Sequence, residues 1–211
     1  MFRLKYDLSS IGKIFYPDIC WTSSTNKVLL TIDDSPNSQI TERILTTLDE
    51  NKITALFFCI GRNIEQTGSL VSEISSAGHE IGNHGYNHVN LCSCSPEQVK
   101  VELEKTSGII AEKTNCLPRF FRPPFGRFNR KITGAASEIG LQTILWSLIT
   151  YDYKNDINLV KLTFRFLRGN AIVVLHDNTK NAGIICESIS LLNEYLQEHN
   201  LQFGTPLECL K

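Results

Sequence analysis

The sequence lacks an excess of charge of either sign. Its 211 residues contain 21 Lys and Arg against 22 Asp and Glu, which leaves a formal net charge of -1 at pH 7. Proteins that bind nucleic acid or an anionic membrane present clusters of Lys and Arg to that surface. The composition therefore gives no electrostatic reason to expect a nucleic-acid partner or an anionic membrane partner.

The sequence also lacks a long apolar run. A transmembrane helix needs about 20 consecutive, mostly apolar residues, and no segment of this chain meets that condition. Charged residues also interrupt the N-terminal stretch, where a signal peptide would need an apolar region: Arg3, Lys5, Asp7, Lys13 and Asp18. We expect no transmembrane segment and a cytoplasmic location.

Paired cysteines are lacking as well. The seven cysteines are an odd number, scattered at positions 20, 59, 92, 94, 116, 186 and 209. A secreted disulfide framework therefore fits poorly, and reduced thiols fit better. Most of them are expected to be small buried apolar side chains. Cys92-Ser93-Cys94 leaves open a metal or redox pair, although a second pair at zinc-site spacing is lacking.

The sequence does contain a regular alternation of apolar segments. Its length and its 42% hydrophobic residues suit one domain with a substantial core. Residues 1–26 are expected to form an extension whose aromatic side chains pack on a domain of residues 27–211. In that domain we predict strands at about 28–33, 53–60, 79–82, 119–122, 141–146, 171–175 and 201–204. We predict helices at about 38–50, 68–77, 95–114, 129–139, 157–168 and 182–199. This alternation indicates a largely parallel sheet, either open or closed into a barrel.

Two adjacent carboxylates, Asp33 and Asp34, follow the apolar run of residues 28–32 and precede Ser35-Pro36. The run is typical of a buried strand, and active sites of α/β folds are built where such strands end. Neighbouring strand residues point in opposite directions, so the two acids need not share one task. A helix cap or Asx-turn is the alternative interpretation.

Two histidines, His84 and His88, are four residues apart after a short predicted strand. On a helical turn this spacing would place both imidazoles on one face, where they could bind zinc or a neighbouring transition metal. A carboxylate from elsewhere would complete three protein ligands and leave a position for water, as in a catalytic site. Taken alone, a pair of histidines at this spacing is a weak signal.

Two further segments contain groups that could take part in catalysis. Residues 122–126 (Arg-Pro-Pro-Phe-Gly) predict a rigid loop, which could hold backbone N–H groups in place to stabilise an oxyanion. A proline-rich turn with a surface arginine is the alternative interpretation. His176 ends the apolar run of residues 171–175, where it could act in acid–base chemistry. A capping or core histidine is the alternative interpretation for His176.

Together these segments resemble, in order, the motifs of the polysaccharide deacetylase family, the family 4 carbohydrate esterases with a NodB-type domain. Residues 31–36 are similar to Thr-Phe-Asp-Asp-Gly-Pro, and residues 84–88 to His-Ser/Thr-x-x-His. Residues 122–126 match Arg-Pro-Pro-Tyr/Phe-Gly, and residues 174–176 are similar to Leu-x-His. The resemblance implies an α/β fold, a distorted (β/α) barrel with fewer than eight complete repeats.

The resemblance also implies an activity and a cofactor. It implies a metal-dependent hydrolase that removes N-acetyl groups from an N-acetylglucosamine-containing oligo- or polysaccharide, with a metal-bound water as nucleophile. The metal would be zinc, with cobalt or nickel as alternatives. The implied metal ligands are Asp34, His84 and His88.

The resemblance assigns the remaining catalytic roles to four residues. Asp33 would be the general base, and Arg122 would hold that base ionised and oriented. The backbone N–H of Phe125 would stabilise the oxyanion. His176 would be the general acid that protonates the leaving amine.

Residues 146–153 depart from the family pattern Trp-Ser-x-Asp-x-x-Asp-Trp. Ile149 stands for the first Asp, and Tyr153 stands for the second Trp. An acid that orients a catalytic group can be worth about 10–100-fold. Support for Arg122 or His176 is therefore expected to come from Asp152 or from water.

The first motif departs from the family as well, because Ser35 replaces a glycine and Ile32 replaces an aromatic residue. Glycine's conformational freedom is lost at position 35, and the turn there is expected to change. These departures keep two alternatives open. One is a non-catalytic descendant that binds carbohydrate or metal, and the other is an amidase that acts on a small non-sugar amide.

Overall fold

Parallel pairing of short strands determines the architecture. The structure is a computed structural model that describes residues 9–211, and this range contains seven β-strands and nine α-helices. The strands are β1 (Leu29–Ser35), β2 (Leu56–Cys59), β3 (Glu80–Asn83), β4 (Phe120–Phe121), β5 (Gln142–Thr143), β6 (Leu148–Ile149) and β7 (Ile172–His176). The helices are α1 (Ser9–Phe15), α2 (Thr41–Glu50), α3 (Gly61–Thr67), α4 (Leu70–Ser76), α5 (Pro96–Thr114), α6 (Arg130–Glu138), α7 (Ile157–Phe164), α8 (Ile185–Glu198) and α9 (Pro206–Cys209).

The strands form one sheet in the order β5-β4-β3-β2-β1-β7-β6, and these pairs are parallel. The sheet curls into a half-barrel. Residues 20–22 run beside it, where Cys20 bridges Ile144 next to β5 and Thr22 bridges Ala171 before β7. The predicted α/β fold, a distorted barrel with fewer than eight complete repeats, is confirmed.

The central strands are apolar on both faces because both faces are buried. Leu30, Ile32 and Phe57 point into the layer between sheet and helices. Their neighbours Leu29 and Phe58 point into the barrel interior. Successive strand side chains alternate between faces, so a run without polar residues is the expected sequence for such a strand. Each fully buried side chain of this size contributes about 1.5–3 kcal/mol relative to an exposed one.

Several predicted elements differ from the observed ones. The strand predicted at 201–204 is wrong, since Phe203 makes one bridge to Val28 and Thr205 then caps helix α9. Helix α3 was not predicted, because its cap residue Ile60 makes no side-chain cap bond and gives no sequence signal. Strands β4 and β5 have two residues each and lie inside the longer strands predicted at 119–122 and 141–146. Strand β6 is missing from the prediction, since two residues are too few for a periodic pattern.

The N-terminal segment contacts the sheet edge. Ile19 and Trp21 are buried against Leu145, and Tyr16 packs edge-on against Phe128. Residues 1–8 of the predicted extension lie outside the described residues. The division into residues 1–26 and 27–211 stays a prediction. In the part of the chain that the structure describes, no helix has the length and apolarity to cross a membrane.

Candidate metal centre and acid–base site

The predicted site residues meet at the carboxyl ends of the strands. Asp33 on β1 lies in register with His176 on β7. Asn83, which precedes His84, pairs with Phe121, which precedes Arg122. Parallel pairing therefore brings the distant motifs together around one pocket of about 620 Å³.

Three of these residues form a candidate metal centre. One ligand atom from each of Asp34, His84 and His88 lies within 4.8 Å of the other two, and no other such group occurs among residues 9–211. Asp34 Oδ1 is 3.2 Å from His88 Nε2 and 3.7 Å from His84 Nε2. One carboxylate and two imidazoles suit zinc or a related transition metal, and three protein ligands leave a position open.

His84 is prepared to act as a ligand. Its Nδ1–H donates to the Arg122 carbonyl oxygen at 2.7 Å, which leaves Nε2 facing Asp34. Burial, together with the nearby His88, lowers the pKa of His84 to about 3. The imidazole is therefore neutral at pH 7, as metal binding requires.

The backbone at two of the ligands is unusual. Asp34 has φ 69° and His88 has φ 55°, a left-handed region that non-glycine residues rarely occupy. Asn63 Nδ2 donates to the Asp34 carbonyl oxygen at 2.8 Å, and Asn178 Nδ2 donates to Asp34 Oδ2 at 3.2 Å. The histidines lie on a bent loop and not on a helical turn, and the loop still brings both imidazoles to Asp34. Such strain, held in place by neighbours, is typical of functional sites.

Asp33 is bound to a buried arginine. Arg122 Nη1 donates to Asp33 Oδ1 and to Thr31 Oγ1, each at 2.7 Å. Arg122 Nε and Nη2 donate to the carbonyl oxygens of Ile144 and Leu145 at 3.2 Å. Burial lowers the pKa of Arg122 from its ordinary value, although Asp33 opposes that shift. Arg122 is fully buried. The alternative interpretation, a proline-rich turn with a surface arginine, is therefore wrong.

His176 is bound to a buried carboxylate. Its Nδ1–H donates to Asp152 Oδ1 at 2.8 Å, and its backbone N–H donates to Asp152 Oδ2 at 2.7 Å. Thr150 Oγ1 donates to Asp152 Oδ1 at 3.0 Å. Burial alone would lower the pKa of His176, but the charge and hydrogen bond of Asp152 raise it to about 9. Asp152 therefore supports His176.

The Arg-Pro-Pro-Phe-Gly loop borders the pocket. Phe125 has φ 60°, is 59% exposed, and its ring centroid lies 4.5 Å from that of His88. Gly126 follows with φ 63°, and a Cβ at this position would overlap the Trp146 ring. The close contact with Trp146 fixes where the loop can lie.

Two of the departures from the family motifs, Ser35 and Ile149, have separate structural outcomes. Position 35 does not need glycine, because the left-handed residue of the turn is Asp34. Ser35 is buried in β1, and its Oγ donates to Asp177 Oδ2 at 3.0 Å. Ile149 lines the pocket and pairs with Val174 on β7, so it adds an apolar side chain near His176.

Four residues next to the site were not predicted. Asn63 and Asn178 contact Asp34, and Asn178 could have been found because it follows His176-Asp177 at the end of β7. Asp177 is buried, its Oδ1 has no hydrogen-bond partner among the described residues, and burial raises its pKa to about 6. Glu102 lies in helix α5 and contacts the histidine loop, and the helix pattern gives no signal of that contact.

The Cys92-Ser93-Cys94 segment does not join the site. Cys92 is exposed, and Cys94 Sγ contacts the Asn90 carbonyl oxygen. Neither cysteine belongs to a group of three metal-binding side chains within residues 9–211. Among the seven cysteines, which are all free thiols, only Cys59 and Cys209 are fully buried.

Comparison with known families and proteins agrees with this geometry. A family model described as polysaccharide deacetylase matches residues 22–144. The peptidoglycan-N-acetylglucosamine deacetylase PgdA of Listeria monocytogenes serotype 1/2a (strain 10403S) is 32% identical over 163 residues, which are 76% of this chain and 34% of that protein. The chain thus spans about a third of the length of that relative.

Another relative matches over more of its own length. The chitooligosaccharide deacetylase of Bradyrhizobium sp. (strain ANU 289) is 32% identical over 158 residues, or 74% of this chain and 72% of that protein. Among solved structures, a CE4 family pseudoenzyme from Bacillus anthracis has a TM-score of 0.82 and 27% identity over 92% of this chain and 69% of its own. A mutant of that pseudoenzyme is described as having restored enzymatic activity.

Proposed function

We propose, because this chain belongs to the polysaccharide deacetylase family, that it removes N-acetyl groups from an N-acetylglucosamine-containing glycan. The observation that carries the proposal is one pocket that combines Asp34, His84 and His88 with two separately supported acid–base groups. Zinc is the proposed metal, and cobalt or nickel would suit the same ligands.

The metal would be held by Asp34, His84 and His88. When bound, it would supply a Lewis acid for the acetyl carbonyl and a lowered pKa for a coordinated water. The mixed donor set and the neutral His84 imidazole fit this role.

The proton transfers are assigned to Asp33 and His176. Asp33 accepts a proton from the attacking water, and the buried guanidinium of Arg122 keeps its carboxylate in place. His176, protonated at neutral pH because of Asp152, donates a proton to the leaving amine nitrogen. Each transfer contributes about 10²–10⁴-fold to the rate.

Asp33 is proposed as the base and His176 as the acid because their partners carry opposite charges. Arg122 places a positive charge against Asp33, and Asp152 places a negative charge against His176. Asp33 and His176 also lie in register on adjacent strands, at one edge of the sheet. Titratable neighbours with opposed surroundings are the arrangement that separates a base from an acid. The Phe125 backbone N–H is assigned to the carbonyl oxygen as it gains charge.

A sugar substrate is favoured over a small amide. Three aromatic side chains, Phe125, Trp146 and Tyr153, line the pocket, and Phe125 is exposed at its edge. Aromatic rings offer flat apolar surfaces against which a sugar ring can pack. The names of the relatives support N-acetylglucosamine in peptidoglycan or chito-oligosaccharides. The cytoplasmic location, and with it a short or precursor glycan, stays a prediction.

A non-catalytic role is the second candidate. It is favoured by Ile149 in place of the motif's Asp and by the similarity to a CE4 family pseudoenzyme. The complete set of proposed ligands and acid–base groups argues for turnover instead.

Acetate release distinguishes these candidates. The protein would be stripped of metal, reloaded with zinc or cobalt, and given a panel of chito-oligosaccharides. Asp33→Asn serves as the inactive variant, and Asp49→Asn makes the same chemical change at an exposed position in helix α2. We expect metal-dependent acetate from the unsubstituted protein and from Asp49→Asn. One equivalent of bound metal without acetate release would favour the non-catalytic role.

A further inference from the structure

We infer that Glu102 is a positioning residue for the histidine loop, the segment of residues 84–88 that carries His84 and His88. Glu102 lies in the middle of helix α5 and is 8% exposed. Its carboxylate would fix the part of the loop that presents His88 to the metal. The inference rests on the proposed function, because it concerns the proposed metal ligands.

Three hydrogen bonds join Glu102 to the loop. Its Oε2 accepts the backbone N–H groups of Tyr86 at 2.7 Å and Asn87 at 2.8 Å, and its Oε1 accepts from Asn87 Nδ2 at 2.6 Å. Hydrogen bonds to an ionised acceptor are shorter and stronger than neutral ones. Burying the carboxylate without these donors would cost free energy of folding. The Glu102 side chain and the loop therefore stabilise each other's position.

The loop has no regular structure of its own to hold it. Gly85 and His88 both have positive φ, at 75° and 55°. The carbonyl oxygens of Gly85 and Tyr86 accept from the backbone N–H groups of Gly61 and Arg62 at the start of α3, at 3.0 and 3.1 Å. Helix α3 thus satisfies the carbonyl groups of Gly85 and Tyr86, while Glu102 satisfies the N–H groups of Tyr86 and Asn87.

The two histidines have different supports. Near His84, Asn83 Oδ1 accepts from the Gly85 N–H at 2.8 Å, and Asn83 Nδ2 donates to the Leu103 carbonyl oxygen. His84 itself is held by its bond to Arg122. Glu102 instead contacts Tyr86 and Asn87, which lead directly into His88. Loss of Glu102 should therefore displace His88 more than His84.

Position 85 lies next to the Glu102 carboxylate. The motif that this loop resembles has Ser or Thr there, whereas this chain has Gly85. A Cβ at Gly85 would lie 3.4 Å from Glu102 Oε2. Gly85 itself makes no side-chain hydrogen bond, whereas Glu102 supplies three hydrogen bonds to the loop.

The test measures metal affinity separately from stability. Cobalt would be titrated into metal-stripped protein, with the visible absorption bands reporting the coordination geometry and a competing chelator giving Kd. The melting temperature of each metal-free variant would be measured in parallel. Leu103→Ala is the matched control, because Leu103 is buried in the same helix and its side chain packs in the core.

The expected pattern depends on the length of the side chain. Glu102→Ala should weaken cobalt binding about 10–100-fold and alter the visible spectrum, as loss of a ligand's supporting group does elsewhere. Glu102→Asp keeps the charge but is one methylene too short, and should also weaken binding. Glu102→Gln keeps an oxygen for the Tyr86 and Asn87 N–H groups and should stay within about threefold of the unsubstituted protein. Leu103→Ala should lower the melting temperature and leave Kd unchanged.

Other outcomes overturn the inference. Unchanged cobalt affinity in Glu102→Ala, with a melting temperature lowered as in Leu103→Ala, would show a purely structural role. If Glu102→Ala does not fold, unchanged affinity in Glu102→Asp would overturn the inference in the same way. Failure of the unsubstituted protein to bind cobalt would instead overturn the proposed metal centre, and this inference with it.

Discussion

Asp33 and Asp34 are neighbours in the chain but have different surroundings. Asp33 is buried and bound to Arg122, whereas Asp34 is partly exposed, has a left-handed backbone and faces His88. Both carboxylates nevertheless line the same pocket, because the left-handed backbone of Asp34 interrupts the strand alternation that would otherwise put the two side chains on opposite faces. Because their partners differ, different substitutions should separate metal binding from proton transfer.

The first prediction concerns these two acids. Asp34→Ala and His88→Ala should each lose bound metal and activity together, because each removes one of three proposed ligands. Asp33→Asn should keep one equivalent of metal but lose about 10²–10⁴-fold in kcat, the usual worth of a general base. Metal content and acetate release measured on the same samples check this. Full activity in Asp33→Asn would show that the base is another group.

The second prediction concerns the pH dependence set by Asp152. The pKa of His176 is raised to about 9, so a general acid at this position stays protonated below that pH and is lost as the pH rises through it. Asp152→Asn removes the charge that raises this pKa, and burial then lowers it. The alkaline limb of kcat/KM should move to lower pH, with kcat reduced about 10–100-fold. An alkaline limb at the same pH in both proteins would rule out His176 as the titrating acid.

At the scale of elements, the strands that are buried on both faces are the ones that the sequence predicts best. Strands β1, β2 and β7 are predicted because burial on both faces makes them continuously apolar. The edge strands β5 and β6 have two residues each, so β5 is shorter than the strand predicted at 141–146 and β6 is not predicted. The spacing of His84 and His88 predicts that they lie together but does not reveal the loop conformation, in which Gly85 and His88 have positive φ.

The third prediction concerns the loop of residues 122–126. Gly126→Ala should cost about 1–3 kcal/mol, because Gly126 has φ 63° and an added Cβ would overlap Trp146. The shift should also displace Phe125 and reduce deacetylation. Gly134→Ala is the matched control, because Gly134 lies inside helix α6 with open space around it, and should stabilise by about 0.5–1 kcal/mol. Urea unfolding of both variants checks the signs, and equal free energies of unfolding would contradict the packing argument.

At the scale of the whole molecule, the sheet explains which site residues the sequence could reveal. Asp33, His84, Arg122 and His176 all lie at or just after the carboxyl ends of buried strands. Parallel pairing brings these strand ends together regardless of their distance in the chain. Glu102 comes from the side of a crossover helix, where a buried Glu looks like one more polar residue in the helical pattern. The proposed catalytic and ligand residues at the strand ends are therefore more predictable than Glu102, which is proposed to position one of them.

The last prediction concerns the stability of the folded chain. A metal held by Asp34 and the histidine loop would connect the end of β1 to the segment after β3, and a ligand that binds only the folded state stabilises it. Zinc at about 100 times its Kd should contribute about 2.7 kcal/mol. That contribution corresponds to a rise of roughly 5–10 °C in melting temperature for a chain of this size.

The variants decide where such a rise originates. Asp33→Asn should show the full increase in melting temperature with zinc, because it keeps the three ligands. His88→Ala should show little or none, and any remaining increase would report zinc bound elsewhere, for instance by the free cysteines. An equal increase in His88→Ala and the unsubstituted protein would place the stabilising metal outside the pocket. If the melting temperature rises with zinc only in proteins that keep all three proposed ligands, the metal centre stabilises the folded barrel.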